Sequence, residues 1–269
     1  MTLLTASSVS LPELASVFNQ AFSDYLIEVF FTEGSLREYV YRHGLDLDAS
    51  LVMEADGFLV GLLLSGSDGS TTWNAGMGVH PNWRRRGLGT EALDEWLEAS
   101  RRAGARRAIL EVIKQNLVAT NLYLSRGFRE VRAYQSFEGR PIWQRGTAIR
   151  PEHVEKVGVT DVLPVYRKGH SWQKRPDVLG RLSSFTALRT AQGAPEGEGY
   201  LVYENMGALM YVFDLTPNVA GRALLEHAVR QERPRLLRVV NAIDLVEEDL
   251  YRSMGFRPWI RNVEMVINL

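Results

Sequence analysis

Apolar residues in the first half of the chain follow a helical spacing in some segments and an extended spacing in others. After Ser10 they recur at positions 14, 17, 18 and 22, which is the spacing of one buried helix face. Ser10 and Glu13 form an S-x-x-E capping box, so a helix is predicted to begin there, and a second short helix is predicted after Thr32. The pattern further predicts strands at 50–54, 58–64, 71–79 and 107–113, helices that end near Gly104 and Arg126, and a hairpin turn at Asp56-Gly57.

The chain also contains an internal repeat. A shift of 128 residues lays residues 116–128 over residues 244–256, with seven of thirteen positions identical. The same shift lays the predicted strand 107–113 over residues 235–241. The repeat therefore predicts two related α/β domains, at 1–140 and 150–269, joined between Glu138 and Pro151.

Composition and charge narrow the function classes. The 31 Lys and Arg residues balance 32 Asp and Glu residues, which argues against bulk electrostatic binding to nucleic acid or acidic membranes. There is no cysteine, which excludes disulfides, Cys-ligated metal and a Cys nucleophile. The sequence shows neither a signal peptide pattern nor an apolar run of about 18 residues, so we expect a cytoplasmic protein. We predict no metal site, because no ligand spacing relates His43, His153, His170 and His227.

The segment from Met77 to Ala92 is the most informative part of the chain. A predicted strand ends, a loop with three consecutive arginines and two glycines follows, and a helix begins. Unpaired N–H groups at a helix N-terminus attract anions, and glycine allows a phosphate to approach them closely. The segment therefore predicts a pyrophosphate site, the alternative being an ordinary loop with solvated arginines.

Two other phosphate-binding motifs can be compared with this segment. A Walker A loop needs Gly-Lys-Ser/Thr, which is absent here. Residues 87–92 match the dinucleotide pattern G-x-G-x-x-A, with Glu111 at about the expected distance of ~20 residues. In that fold, however, the first glycine directly follows the strand, whereas here residues 81–86 intervene. The dinucleotide interpretation is the weaker one.

The residues around the glycines match a third pattern. Arg84-x-x-Gly87-x-Gly89 resembles the acyl-CoA pyrophosphate loop of the GNAT N-acetyltransferase superfamily. The resemblance extends from the lead-in 78–81 through the strand 110–112 to the run from Asn116 to Gly127-Phe128, and so covers residues 77–128. It implies a mixed α/β fold, with two tandem GNAT-like domains in this chain, and acetyl-CoA as the acyl donor.

The resemblance also implies which residues bind acetyl-CoA. The loop amides would bind the pyrophosphate, main-chain groups of the preceding strand would bind the pantetheine arm, and the asparagine and tyrosine of the following helix would lie near the arm and its sulfur. The residues that match these positions are Met77, Val79, Arg84, Arg85, Arg86, Gly87, Leu88, Gly89, Thr90, Asn116 and Tyr123.

Two residues are candidates for proton transfer. A tyrosine can hydrogen-bond or protonate a departing thiolate, which the resemblance assigns to Tyr123; its alternative role is core packing beside Phe128. The attacking amine needs a base, for which Glu111 is the first candidate and a structural hydrogen bond the alternative role. His80 is a second candidate base.

Further acidic residues lie in an aromatic-rich stretch at residues 22–31. Asp24 and Glu28 are possible partners for an ammonium group there, because the resemblance places the acceptor site in this region.

The second half lacks these features. The shift of 128 lays Arg84–Gly89 over Val212–Pro217, which has neither the glycines nor the arginines. It also replaces Glu111 by Val239 and Asn116 by Asp244. We therefore expect a degenerate GNAT-like domain that stabilises the first domain, shapes the acceptor pocket or forms an oligomer, such as a homodimer.

The resulting prediction is an N-acetyltransferase that carries an acetyl group from acetyl-CoA to a small-molecule or peptide amine. Direct attack in a ternary complex is expected, since no acyl-carrying nucleophile stands out. The alternatives are a non-catalytic acyl-CoA-binding or regulatory module and, more weakly, a nucleotide-binding oxidoreductase. Nucleic acid and membranes are not expected as partners.

Overall fold

The computed structural model describes residues 2–140, 149–162, 171–181 and 184–269. They form two compact units: unit 1 comprises the chain up to Arg132 together with Val263–Leu269, and unit 2 comprises Ala133–Asn262. Residues 141–148, in the middle of the predicted connection between domains, lie outside the described residues.

Unit 1 has a mixed sheet flanked by helices. Its elements are β1 (Thr2–Thr5), α1 (Leu11–Ala21), α2 (Glu33–His43), β2 (Leu45–Ala55), β3 (Phe58–Ser67), β4 (Thr71–Val79), α3 (Leu88–Arg102), β5 (Arg107–Ile113) and α4 (Leu117–Ser125). Strands β1 to β4 pair antiparallel in chain order, and β4 pairs parallel with β5. The mixed α/β fold class is thereby confirmed.

Two long strands each contribute to both units. They are β6 (Arg129–Gly139) and β12 (Arg257–Asn268), and each changes unit part-way along its length. In unit 1 the strand order ends β5-β12-β6, so the last residues of the chain lie between two strands from its first half. The Arg132 guanidinium donates two hydrogen bonds, of 3.0 and 2.9 Å, to the Glu264 carboxylate within this arrangement.

The observed unit boundaries differ from the expected ranges 1–140 and 150–269. Val263 and Met265 are buried in unit 1, at 4% and 0% exposure, although they are among the last residues of the chain. Phe137, which the sequence placed in the first domain, is part of the hydrophobic core of unit 2. Burial of these side chains, rather than order along the chain, determines the division.

Unit 2 repeats the layout of unit 1. Its own elements are β7 (Val154–Val157), α5 (Val159–Val162), α6 (Pro176–Leu179), β8 (Phe185–Thr190), β9 (Tyr200–Met206), β10 (Leu209–Leu215), α7 (Val219–Glu232), β11 (Leu236–Ala242) and α8 (Leu245–Ser253). Strand β10 pairs antiparallel with β9 and parallel with β11, as β4 does with β3 and β5. Helix α8 lies 128 residues after α4 at both ends, as the repeat predicts.

The constant shift fails before the repeated strand. Val212–Leu215 are residues of β10, so they are not the counterpart of the loop that begins at Arg84, as the shift had suggested. The counterpart is residues 216–218, between β10 and α7, whereas residues 80–87 separate β4 from α3. The burial patterns of β5 and β11 also align from their first residues, which places Val240, not Val239, at the position of Glu111.

Local signals in the sequence explain most of unit 1. The Ser10 capping box is present, and the turn residues Asp56 and Gly57 both have positive φ, at 51° and 79°. Strands β4 and β5 have the predicted bounds, whereas β2 begins at Leu45, earlier than its apolar pattern indicated. No helix in the described part of the chain is long and apolar enough to cross a membrane.

The exchange of strands predicts that a change near the C-terminus weakens unit 1. We expect Met265→Ala to lower the free energy of unfolding by about 2–5 kcal/mol, because it leaves a cavity in a closed core. Hydrogen exchange should quicken in β5, at residues 107–113. The control Asn268→Ala, at an exposed position, should change little. Faster exchange confined to unit 2 would contradict this strand order.

Candidate functional site

The two parallel strands of unit 1 separate at their C-terminal ends. Pairing of β4 with β5 runs from Thr71–Arg107 to Asn74–Leu110, and the strands diverge beyond it. On its other side β4 has an extra residue, Ala75, between the pairs that join Asn74 and Gly76 to β3. Parallel strands that separate leave main-chain polar groups available to a ligand.

A cleft of about 850 Å³ lies at this opening. It is lined by the ends of α1 and β4, the loop before α3 and the start of α4. All of the binding residues expected from the sequence line it except Arg86, whose guanidinium stacks on the Trp83 ring at 4.6 Å. The structure thus brings together residues 77–90 with Asn116 and Tyr123.

The start of α3 can hold an anion. Gly87, the residue before the helix, has φ +87°, and no side chain caps the helix. Every other helix of nine or more residues in the described chain begins with a side-chain cap. Because the first turn of a helix has no internal partners for its N–H groups, those of Leu88, Gly89 and Thr90 remain available.

Gly89 keeps this surface accessible. A Cβ atom built on it would lie 3.6 Å from Val79, 3.9 Å from Leu122 and 4.0 Å from Met77. These are ordinary contact distances, so the glycine is not required by crowding inside the protein. It leaves open space on the cleft side of the helix start, which suits a group that approaches the backbone.

Arg84 is bound by protein groups. Its guanidinium donates hydrogen bonds of 2.7 and 2.6 Å to the two carboxylate oxygens of Asp24. It also donates to the carbonyl oxygens of Val79, at 2.8 Å, and Ala21, at 3.0 Å. The hydrogen bonds from Arg84 lower the pKa of Asp24. Asp24, a possible ammonium partner from its sequence position, is therefore already paired with a cation.

Tyr123 is both a core residue and a cleft residue. It is 6% exposed, and its ring centroid lies 5.8 Å from that of Phe128. It also lines the cleft. Burial, with a smaller contribution from nearby Tyr25, raises the pKa of Tyr123 above the ordinary range of a phenol. The hydroxyl therefore keeps its proton throughout the physiological range and can act as a donor.

Tyr25 is a cleft residue that the sequence interpretation missed. Its side chain is hydrogen-bonded to Asn116, whose own oxygen accepts from the N–H of Ala119 and caps α4. Burial raises the pKa of Tyr25, and the Asn116 hydrogen bond partly opposes that effect. The aromatic-rich stretch at 22–31 marked this region, but nothing in the sequence pairs residues 25 and 116.

Glu111 is not among the residues that line the cleft. It is half-buried on β5 and faces Tyr39, whose hydroxyl donates to the Ala75 carbonyl at 3.2 Å. Burial first, and then the Glu111 charge, raise the pKa of Tyr39. Glu111 and Tyr39 thus lie near the extra residue of β4, where the strands begin to separate. Its role as a base remains a prediction.

A second cavity of about 810 Å³ lies on the α1 side of unit 1. It shares Phe22 and Tyr25 with the cleft and contains the candidate residues Glu28 and His80. The Nδ1 atom of His80 accepts a hydrogen bond from the N–H of Asn82 at 3.2 Å. The candidate acidic and basic residues are therefore distributed between two adjoining cavities.

Across the described ranges, no group of three or more His, Asp or Glu residues could hold a metal ion. His170, which the sequence considered and set aside as a ligand, lies outside those ranges.

Comparison with known proteins agrees with this geometry. Residues 13–128 match the model of the acetyltransferase (GNAT) family. These residues form a GNAT domain. The match includes the uncapped helix, the glycine loop and Tyr123, and it ends at Phe128. No curated protein matches the chain.

Solved structures extend the likeness to the whole chain. A tandem GNAT protein from the clavulanic acid biosynthesis pathway is 16% identical with a TM-score of 0.65, and the match covers 99% of this chain and 98% of that one. A GCN5-related N-acetyltransferase from Sphaerobacter thermophilus is 14% identical with a TM-score of 0.67, with 99% and 95% covered. At these identities the likeness shows the fold, which is that of two tandem GNAT-like domains.

Proposed function

We propose that unit 1 is an acetyl-CoA-dependent N-acetyltransferase. The observation that carries this proposal is the uncapped start of α3, which opens onto the separated ends of β4 and β5 with a buried tyrosine beside them. A cleft of about 850 Å³ with an anion-binding end and a polar main-chain wall suits a long ligand with a pyrophosphate and an amide-containing arm.

The residues of the cleft fit acetyl-CoA. The N–H groups of Leu88, Gly89 and Thr90 would bind the pyrophosphate, with Arg85 adding positive charge at the same end. Main-chain groups of Met77 and Val79, on the separated part of β4, would bind the pantetheine arm. Asn116 would meet the arm from α4.

Tyr123 would supply a proton or a hydrogen bond on the sulfur side. When bound, acetyl-CoA supplies a thioester whose acyl carbon accepts the amine and whose sulfur leaves as a thiolate. A phenol that stays protonated in the cleft can donate to that sulfur. The burial that raises the pKa of Tyr123 also preserves its donor throughout the working pH range.

Glu111 would accept the proton of the ammonium group, because a protonated amine has no lone pair with which to attack. It is half-buried near the point where the strands separate, next to Tyr39. His80 is a second candidate, since it lies in the adjoining cavity. Glu28 in the same cavity can hold the ammonium form before the proton is lost.

The acceptor would enter through the adjoining cavity. Phe22, Phe30 and Phe31 give it an apolar wall, and Glu28 and Glu33 give it negative charge. This combination favours an amine with an apolar body, either a small molecule or the end of a peptide. Direct attack without an acyl-enzyme follows, since Tyr123 retains its proton and the chain has no cysteine.

One observation favours a second candidate function. Glu111 does not line the cleft, so the cleft by itself holds a donor but not its assigned base. An acyl-CoA-binding module without turnover would show this arrangement. Binding and turnover therefore need separate measurements.

We expect Gly89→Val to abolish CoA binding, because the new side chain would cover the helix start that meets the pyrophosphate. The measurement is calorimetric titration with CoA. The matched control is Gly34→Val, since Gly34 is the second residue of α2, as Gly89 is of α3, and does not line the cleft. Wild-type affinity in Gly89→Val would contradict the proposed phosphate site.

We expect Tyr123→Phe to lower kcat for acetyl transfer by about 10²-fold, because the sulfur loses its donor, while CoA affinity changes little. Thiol release from acetyl-CoA, measured across a panel of amines, reports the rate. Tyr41→Phe, which alters an exposed phenol of α2, serves as the control. If Tyr123→Phe and Glu111→Gln both retain full activity, neither residue performs its assigned proton transfer.

A further inference from the structure

The Arg84 side chain joins three parts of unit 1. Its four hydrogen bonds reach the end of α1 at Ala21, the end of β4 at Val79, and Asp24 in the segment that follows α1. Arg84 itself belongs to the loop before α3. A planar guanidinium with both edges occupied has a fixed orientation.

The neighbouring residue, Tyr25, contacts the opposite wall of the cleft. It is hydrogen-bonded to Asn116 at the start of α4. Asp24 and Tyr25 therefore connect the loop before α3 to the start of α4. Both also line the cleft, and Tyr25 lines the adjoining cavity.

We propose that Asp24 and Arg84 are a positioning pair that sets the affinity of the cleft for acetyl-CoA without touching it. This inference rests on the proposed function and assigns Arg84 a role different from that of a phosphate ligand. The pair holds the loop amides in place, and through Tyr25 it ties the acceptor-side segment to the same loop.

The test is a double-mutant cycle with Asp24→Asn and Arg84→Ala. We expect each change to raise the Kd for CoA and the KM for acetyl-CoA about three- to tenfold, with little change in kcat, since the pair is partly exposed. The double variant should be no weaker than either single variant. Asp94→Asn, which breaks the 2.7 Å ion pair of Asp94 with Arg126, is the matched control and should leave CoA affinity unchanged.

A phosphate-ligand role for Arg84 gives a different pattern. Asp24→Asn would then free the guanidinium for the cofactor and leave CoA binding unchanged or tighter, whereas Arg84→Ala would weaken it. That pattern would overturn the positioning role and leave the proposed function intact. Absence of CoA binding to the unmodified protein would instead overturn the proposed function.

A separate observation concerns unit 2, whose strands separate in the same way. Pairing of β10 with β11 runs from Leu209–Leu236 to Val212–Val239, which is four pairs, as between β4 and β5. The polar groups beyond these pairs are met by Lys174. Its ammonium donates to the Asn241 carbonyl at 3.2 Å and lies 3.7 Å from Asp214 and 3.8 Å from Glu247.

The Lys174 cluster is closed to solvent. The side chains of Lys174, Asp214 and Glu247 are all 0% exposed. The hydroxyl of Tyr200 donates to Asp214 at 2.7 Å, and that of Tyr251, the counterpart of Tyr123, donates to Glu247 at 3.3 Å. The position that is a cleft in unit 1 is filled with hydrogen-bonded side chains in unit 2.

The helix start in unit 2 is also occupied. The Asn218 side chain accepts a hydrogen bond of 2.9 Å from the N–H of Gly221 and caps α7. A Cβ atom on Gly221 would lie 1.9 Å from the Thr216 carbonyl oxygen, so the preceding turn is packed against the helix. Both the phosphate end and the arm end of the unit 1 cleft thus have protein groups at their counterparts.

From this we infer that the chain binds a single CoA, in unit 1, because Lys174 and Asn218 occupy the corresponding positions of unit 2. Calorimetric titration of the full chain should give one CoA per chain, and Gly89→Val should bind none. Two CoA molecules per chain, or one remaining in Gly89→Val, would overturn the inference.

A stability measurement tests the buried cluster independently of CoA. We expect Lys174→Met to lower Tm by about 10 °C, because two carboxylates lose their buried cation. Lys156→Met, at an exposed position of β7, should leave Tm unchanged. An unchanged Tm in Lys174→Met would show that the ammonium does not hold this region together.

Discussion

The separation of two parallel strands is the constraint on which both units depend. After four paired residues, main-chain groups at the ends of β4 and β5, and of β10 and β11, have no strand partner across the gap. Buried polar groups need partners, so each gap has to be filled by something polar. Unit 1 leaves its gap as a cleft with residues suited to a ligand. Unit 2 fills its gap with Lys174 and the carboxylates around it.

The same contrast governs the following helix. A helix that begins with Gly87 and lacks a cap exposes several N–H groups that attract an anion, whereas Asn218 satisfies one of these groups within the chain. Capping stabilises a helix, so its omission at α3 costs stability unless a ligand takes its place. One fold thus gives either a binding site or a self-contained support, according to a few residues at strand ends and helix starts.

The sequence predicted those parts of unit 1 that depend on neighbouring residues. Strands β4 and β5 were predicted with their observed bounds, and the glycine loop and Tyr123 lie at the cleft where the resemblance to GNAT proteins placed them. Contacts between distant residues could not be predicted. Arg84 pairs with a residue 60 positions away, and Met265 is buried in a unit whose other strands lie before residue 133. A pattern of local periods contains no signal for either contact. The constant repeat shift failed for a related reason, because the loops of the two units differ in length although their strands and helices correspond.

Tyr123 shows why packing and chemistry need not be alternatives. The sequence left open whether this residue packs in the core or donates a proton, and the structure gives it both surroundings. Removal from water disfavours the phenolate, so the packing that buries the ring also preserves the proton on its hydroxyl. In unit 2, Tyr251 is equally buried, yet its hydroxyl is bound to Glu247 and cannot serve a ligand. What distinguishes the two tyrosines is therefore the partner of the hydroxyl, and that partner is set by whether the gap between the strands has been left open.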